Sequence, residues 1–421
     1  MPERRPPQQT PARPGPRPLP LHLMAHASTL MGSRAALPLL KNGSLPWKPN
    51  LAAEAEALRK SLEAAGPNAW AELDTALAAE GLARHEDMLA GIEAYRRHPY
   101  QRDLPEVPVL WQEGTTKLRD YRMDHGGARE EGQPVLVVPS LVNRAYILDL
   151  TPRRSLMRYF AARGLAPFLV DWSAPGREET GFTLSDYVAG RLEAALEVIA
   201  TETKRKVAVV GYCMGGNLAL ALALRRPDLV ASLTLMATPW DFHAASAANG
   251  PLMRALGVPL GGLIEASGAL PVDLLQTMFA SLDPNLVSRK FAAFARLKKR
   301  SARARDFVAL EDWANDGVAL AGPVARECLF GWYGTNDTKE GVWRIAGEPV
   351  LPERLEMPTL VVIPERDRIV PPESSRPLAE AIPGARIMSV RGGHVGMLLS
   401  GRAKTEVYGP LAKWLVRAAV Q

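Results

Sequence analysis

From Val107 onward the chain alternates short, nearly uninterrupted apolar runs with longer stretches in which apolar residues recur at helical spacing. The apolar runs predict strands over residues 115–123, 135–138, 166–170, 207–210, 233–236, 359–363 and 386–390. Several carry no polar position at all, as strands covered on both faces must. Strands that alternate with helices predict an α/β fold with a mostly parallel central sheet and helices on both faces. Upstream, residues 51–98 read as helical: alanine, leucine, glutamate and lysine dominate, and Trp70, Leu73 and Leu77 fall on one face. The alternation also stops between Asp241 and about Val342, where helices and loops are expected. The division predicted from these patterns is a leader over 1–45, a helical N-terminal segment over 46–104, a core over 105–240, a cap insertion over 241–342 and the rest of the core over 343–421.

Composition changes this picture at two places. Residues 1–20 hold eight prolines, four arginines and a single acid, so the leader is expected to be disordered. The patchily apolar residues 21–40 that follow suit either a loosely packed linker or an amphipathic anchor. Residues 289–305 carry eight basic residues and no acid, which fits a solvated helix face or an electrostatic approach for phosphate groups. The net charge of +6 is otherwise mild and predicts no nucleic-acid partner. No apolar run is long enough for an integral membrane span. Two cysteines, Cys213 and Cys328, do not make a disulfide framework and fit a reducing, cytoplasmic setting.

The candidate chemistry lies in "VAVVGYCMGGNLALALAL", residues 207–224. A buried strand ends there and a helix over 217–224 follows, with Gly211-Tyr212-Cys213-Met214-Gly215 as the turn. So sharp a turn crowds the residues two before and two after its apex, and glycine at both places relieves the clash. This is the G-x-S-x-G nucleophile elbow of α/β-hydrolases with cysteine in place of serine. A thiol at a helix N-terminus beside an imidazole is readily activated. The Met214 N–H would be one oxyanion donor. Cys328, in "VARECLFGW", lacks this context and reads as core.

A thiol nucleophile needs a base, and the base an orienting acid, in the chain order nucleophile, acid, base. Of seven histidines only His243 and His394 follow the elbow. His394, in the glycine-rich "SVRGGHVGML" after a candidate strand, is the expected base, and His243 a pocket residue. Asp367, just past the strand in "TLVVIPERDRIVPP", is the expected acid, with Asp337 in reserve. The loop "VVPSLVNRAYILDL" after the first core strand should supply the second oxyanion donor, the N–H of Val142 or of its neighbour Leu141. Leu141, Asn143, Tyr146 and Tyr212 are candidate substrate-binding residues. No metal site is expected.

These motifs together resemble the poly(3-hydroxyalkanoate) synthase family. "GYCMGG" is similar to its cysteine lipase box, and "VPSLVNRAYILDL" to its P-P-W-I-N-K-x-Y-I-L-D-L loop. Asp171-Trp172 matches a family D-W pair, "LEDWANDG" a W-x-x-D segment, "RDRIVPP" the acid loop and "GGHVGM" the stretch around the base. The likeness runs from about Trp111 to Leu399. Departures include Arg368, Pro372 and Ser140-Leu141, where the family has histidine, tryptophan and proline-tryptophan.

The resemblance implies an α/β-hydrolase core under a helical cap and a triad of Cys213, Asp367 and His394. Its implied substrate is (R)-3-hydroxyacyl-CoA, with no separate cofactor. The implied setting is a homodimer on the growing polyester chain or granule surface in the cytoplasm. Two other readings use the same residues: a thioesterase or dienelactone-type ester hydrolase, and a non-catalytic granule-associated protein.

Overall fold

The computed structural model describes residues 13–122, 132–244 and 249–418. The first twelve residues of the expected leader, His125 and the last residue of the strand candidate 115–123 lie outside these. The described chain divides into two compact units, one from Arg102–Leu275 with Asp316–Gln421, the other from the residues up to Gln101 with Gln276–Asn315.

The first unit is built on an eight-stranded sheet. Its strands are β1 (Val109–Glu113), β2 (Thr116–Asp120), β3 (Pro134–Val138), β4 (Ala166–Asp171), β5 (Val207–Tyr212), β6 (Val230–Met236), β7 (Thr359–Pro364) and β8 (Arg386–Val390). They lie in the order β1-β2-β4-β3-β5-β6-β7-β8. The pairs β1/β2 and β2/β4 are antiparallel and all the others parallel. Every residue of β3, β5 and β7 is buried, whereas the edge strands β1 and β8 are mostly exposed. Burial explains much of the legibility: the fully buried central strands all read as strands, and of the two edge strands only β8 did. The edge strand β1 has only a three-residue apolar run, Val109-Leu110-Trp111, and the sequence reading did not separate it from the loop before β2. This strand order, with one antiparallel edge and helical crossovers, is the α/β-hydrolase fold. Its parallel strands end on one side, where the loops after β3, β5, β7 and β8 gather. That is the side on which open α/β sheets bind ligands.

The second unit is helical. Helices Leu19–Ala35, Ala69–Arg96, Leu286–Ala295 and Ala302–Asn315 contribute to it. Met88, Ile92 and Tyr95 form one apolar cluster with Val287, Phe291, Phe294, Ala304 and Val308. This corrects the division read from the sequence. The segment 276–315 does not belong with the rest of the 241–342 insertion; its aromatic face shares a core with the helical N-terminal segment.

The leader is also corrected. Residues 19–41 form helices rather than a disordered tail. Leu19 and Leu23 pack on the same cluster, and the His26 ring stacks on His85 at 5.5 Å. In the basic segment, Arg289, Lys290 and Arg296 pair with Asp283, Glu311 and Asp87. Lys298, Lys299, Arg300, Arg303 and Arg305 are exposed around the turn between the last two helices. Among the described residues no helix is long and apolar enough to cross a membrane.

Candidate active site

Strand β5 runs directly into the helix Met214–Arg225, and Cys213 is the single residue between them. Its backbone is forced to φ 57° and ψ −131°, a conformation that side chains other than glycine avoid. Hydrogen bonds hold it there: the Cys213 N–H donates to the Met236 carbonyl and the Gly216 N–H to the Cys213 carbonyl, both at 2.8 Å.

The two glycines of the motif are required by space. A Cβ on Gly211 would fall 2.4 Å from the Cα of Gly216. One on Gly215 would fall 2.2 Å from the Val138 carbonyl oxygen and 2.6 Å from that of Pro139. The second contact seats the elbow against the end of β3, where the loop 139–144 begins. The Met214 N–H, first in its helix, has no acceptor within the helix and is open to a ligand.

His394 lies in the loop after β8 and Asp367 in the loop after β7. The Gly392 carbonyl, which accepts from the Arg366 N–H at 2.8 Å, ties the two loops together. The His394 Nδ1–H donates to Asp367 Oδ2 at 2.7 Å. The other carboxylate oxygen accepts from the Ile369 and Val370 N–H groups at 2.8 and 2.9 Å, so the acid cannot turn away. With Nδ1 committed, Nε2 is left for the Cys213 thiol, with which the ring is in hydrogen-bonding contact. Burial lowers the basicity of the imidazole. The charge of a Cys213 thiolate and the hydrogen bonds to Asp367 and Cys213 outweigh it, and the His394 pKa is pushed up to about 10.

Tyr212 is buried. Its ring packs on the His394 imidazole, with centroids 5.1 Å apart, and its hydroxyl donates to the His394 carbonyl at 3.2 Å. Burial first, then the Cys213 charge, pushes the Tyr212 phenol well above its ordinary value, so it stays a neutral donor. It clamps the loop that carries the imidazole.

In the loop after β3 the two candidate donors differ. The Val142 N–H donates to Ser140 Oγ at 3.1 Å and is occupied. Leu141 is buried, and its N–H has no acceptor among the described residues. Trp172, after β4, holds the loop's start by donating from Nε1 to the Pro139 carbonyl at 3.0 Å. On the far side Asn143 bridges Gly317, the Val318 N–H donates to the Val142 carbonyl at 3.4 Å, and Arg144 pairs with Asp316. Tyr146 lies under the Arg102 guanidinium at 5.2 Å.

The other candidates lie elsewhere. His243 donates from Nε2 to the Tyr333 carbonyl at 3.0 Å, a contact that fastens the start of the insertion to its end. Asp337 closes a turn: its N–H donates to the Gly331 carbonyl and its carboxylate accepts from Thr335. It takes no part in the His394 pair. Cys328 is buried, and burial pushes its thiol well above the ordinary value. Tyr333 escaped the sequence reading. Its hydroxyl is enclosed, and burial, then the charges of Cys213 and Cys328, push its pKa up. Only the folding of the insertion's end back to the elbow brings it there, and no spacing in the sequence announces that. Among the described residues no cluster of three or more histidine, cysteine or acidic side chains could hold a metal.

Comparison with known proteins gives two family matches. Residues 133–400 match the alpha/beta hydrolase fold family, and residues 50–160 the poly-beta-hydroxybutyrate polymerase (PhaC) N-terminus. Among the relatives are proteins named poly(3-hydroxyalkanoate) polymerase subunit PhaC. That of Haloferax mediterranei is 30% identical over 318 residues, 73% of this chain and 63% of that protein. That of Allochromatium vinosum is 30% identical over 305 residues, 71% of this chain and 85% of that protein. The Synechocystis sp. protein is 32% identical over 291 residues, covering 67% and 77%.

Proposed function

Because the chain belongs to the poly(3-hydroxyalkanoate) polymerase family, we propose that it polymerises (R)-3-hydroxyacyl-CoA into a polyester, with release of CoA, through a covalent acyl-cysteine. One observation carries the reading: an imidazole pinned at 2.7 Å to a buried carboxylate meets a thiol on a strained strand-to-helix turn.

The proposed reaction begins when His394 Nε2 takes the Cys213 proton. The thiolate attacks the thioester carbonyl, and its oxygen becomes an oxyanion held by the N–H groups of Met214 and Leu141. Such backbone donors are worth about 3 kcal/mol each to the transition state. The tetrahedral adduct collapses, the C–S bond to CoA breaks, and the CoA sulfur leaves with the proton from the imidazolium. One thioester has replaced another, so little driving force is spent.

A second unit then presents its 3-hydroxyl. His394 takes that proton, the alkoxide oxygen attacks the acyl-cysteine, and the new ester forms as the Cys213 sulfur departs and recovers the proton. Asp367 orients the imidazole and stabilises its cation throughout. Water must be kept out, since it would hydrolyse the acyl-enzyme; the apolar stretch 251–275 of the insertion suits that task. The reading brings with it a growing chain or granule surface as partner, a homodimeric assembly, a cytoplasmic setting and no cofactor besides the CoA of the substrate.

Purified protein given (R)-3-hydroxybutyryl-CoA tests the reading by thiol release, turbidity and free acid measured together. Thiol with insoluble polymer is expected, and Cys213→Ala should release no thiol. Thiol with stoichiometric free acid would make the protein a hydrolase. No thiol, with Cys213→Ala indistinguishable, would leave only a non-catalytic role.

A further inference from the structure

The helix Asn249–Ser267 in the insertion carries only two charged residues, Arg254 and Glu265. At about 100° per residue its apolar side chains fall on two separate faces. The first face is packed. Met253 and Ile264 are buried. A Cβ on Gly334 would meet Met253 at 3.9 Å, and one on Gly322 would meet Ile264 at 3.4 Å. Arg326 donates to the Gly261 carbonyl at 2.9 Å and pairs with Glu265 at 3.8 Å. This face pins the helix along the segment 322–334.

The second face is bare. Leu252, Ala255, Leu256, Pro259, Leu263 and Ala266 line one stripe, and all of them are exposed, Leu252 by 53% and Leu263 by 43%. The stripe is about 21 Å long and holds no polar side chain. Val258, exposed by 87%, stands at its border. A contiguous exposed apolar face marks a contact with something outside the fold. The helix cannot turn to hide it, since that would unpack Met253 and Ile264.

The lack of charge selects the occupant. A helix that lies on an anionic membrane carries lysine and arginine along its polar face; here one arginine is matched by one glutamate. A face that binds another protein is anchored by aromatic or arginine side chains inside a polar rim; the stripe has no such anchor. An aliphatic polyester has no charge and no hydrogen-bond donor along its chain, and it offers methyl and methylene groups to leucine side chains. The acyl-transfer reading brings such a polymer to this unit, because the growing end is carried on Cys213 within it. A partner tethered in this way is present at high local concentration.

We propose that the stripe rests on the protein's own insoluble product, an uncharged aliphatic polyester. This rests on the acyl-transfer reading above and adds to it the face that holds the protein on the polymer.

The test is co-sedimentation of the full chain, without substrate, with preformed amorphous poly(3-hydroxybutyrate) particles. The unmodified protein should bind, and salt between about 50 and 500 mM should change the apparent Kd by less than about twofold, because no charge is used. In Leu252→Glu/Leu256→Glu/Leu263→Glu the apparent Kd should rise by about ten- to a hundredfold. Arg254→Glu, which changes charge on the helix outside the stripe, should shift it by less than about threefold. Should the triple variant fail to fold, Leu252→Ser/Leu263→Ser should still raise the Kd by about fivefold.

No binding by the unmodified protein, or binding that survives in the folded variant, overturns this inference. So does equal binding to phosphatidylcholine vesicles, which would make the face a general lipid contact. A variant that changes oligomeric state but not particle binding overturns it too, in favour of a contact between copies. Thiol release is read separately: its absence from the unmodified protein overturns the acyl-transfer reading, whatever the particles show.

Discussion

The two walls of the candidate site differ in how completely they are satisfied. On the side of β7 and β8, the acid and base are fully bonded: both Asp367 oxygens have partners, His394 Nδ1 is bonded, and even the His394 carbonyl accepts from Tyr212. On the side of β3, the loop is braced at both ends yet keeps an open Leu141 N–H and an orphan Asn143 oxygen. A wall without spare valence can orient a base but can recognise nothing. A wall with spare donors and acceptors is unfinished until a substrate completes it. The difference separates the part of the site suited to move protons from the part suited to choose what is bound.

The largest test of this contrast is Asp367→Asn, which unpicks the satisfied wall. Thiol release should fall by about three to four orders of magnitude, because the imidazole loses both its orientation and the stabilisation of its cation. The effect has a pH signature. Burial opposes the charged ring, while the Cys213 charge and Asp367 favour it, and together they raise its pKa from 6.5 to about 10. A raised pKa stabilises the folded protein fully below about pH 6.5, and this contribution is lost as pH climbs through about 10. Without Asp367 the pKa should drop back toward 6.5 and the loss begin at lower pH. Melting temperatures of the two proteins between pH 6 and 10 would reveal it; parallel curves would mean that Asp367 does not set the charge.

Next in size is Gly215→Ala, which drives the elbow against the opposite wall. The added methyl would meet the Val138 and Pro139 carbonyls, so the end of β3 must shift. The cost should be about 1–3 kcal/mol in denaturant unfolding, with a fall in kcat beyond any loss of folded protein. Unchanged stability would mean that the two walls are not in hard contact.

The smallest expected effect is Tyr212→Phe. It keeps the ring on His394 and removes only the bond to the His394 carbonyl, worth about 1 kcal/mol. A several-fold fall in kcat with KM unchanged is expected, whereas a raised KM would restore Tyr212 to the substrate pocket.

The satisfied wall was far easier to read from sequence. Elbow, acid and base each lie within a few residues of a buried strand end, and glycine at fixed offsets marks the turn, so local pattern placed Cys213, Asp367 and His394 near the ends of strands that the fold brings together. The open wall depends on segments distant in sequence. That the Val142 N–H is spent on Ser140, leaving Leu141, follows from a side-chain rotation that no spacing encodes. Asn143 could be named as a pocket residue, but its missing partner emerges only when residue 317 is laid beside it. The helical unit was misdivided for a similar reason: residues 276–315 look like the rest of an insertion, and only the meeting of Phe291 and Phe294 with Met88 and Tyr95 assigns them elsewhere. The helix Leu19–Ala35 was hidden by proline-rich neighbours whose composition does not extend into it.

The bridge between Asn143 and Gly317 has a mechanical consequence. The loop that carries the open Leu141 N–H is thereby tied through backbone to a segment 174 residues further along the chain. A substitution that frees residue 317 would reach that loop without altering any side chain on it.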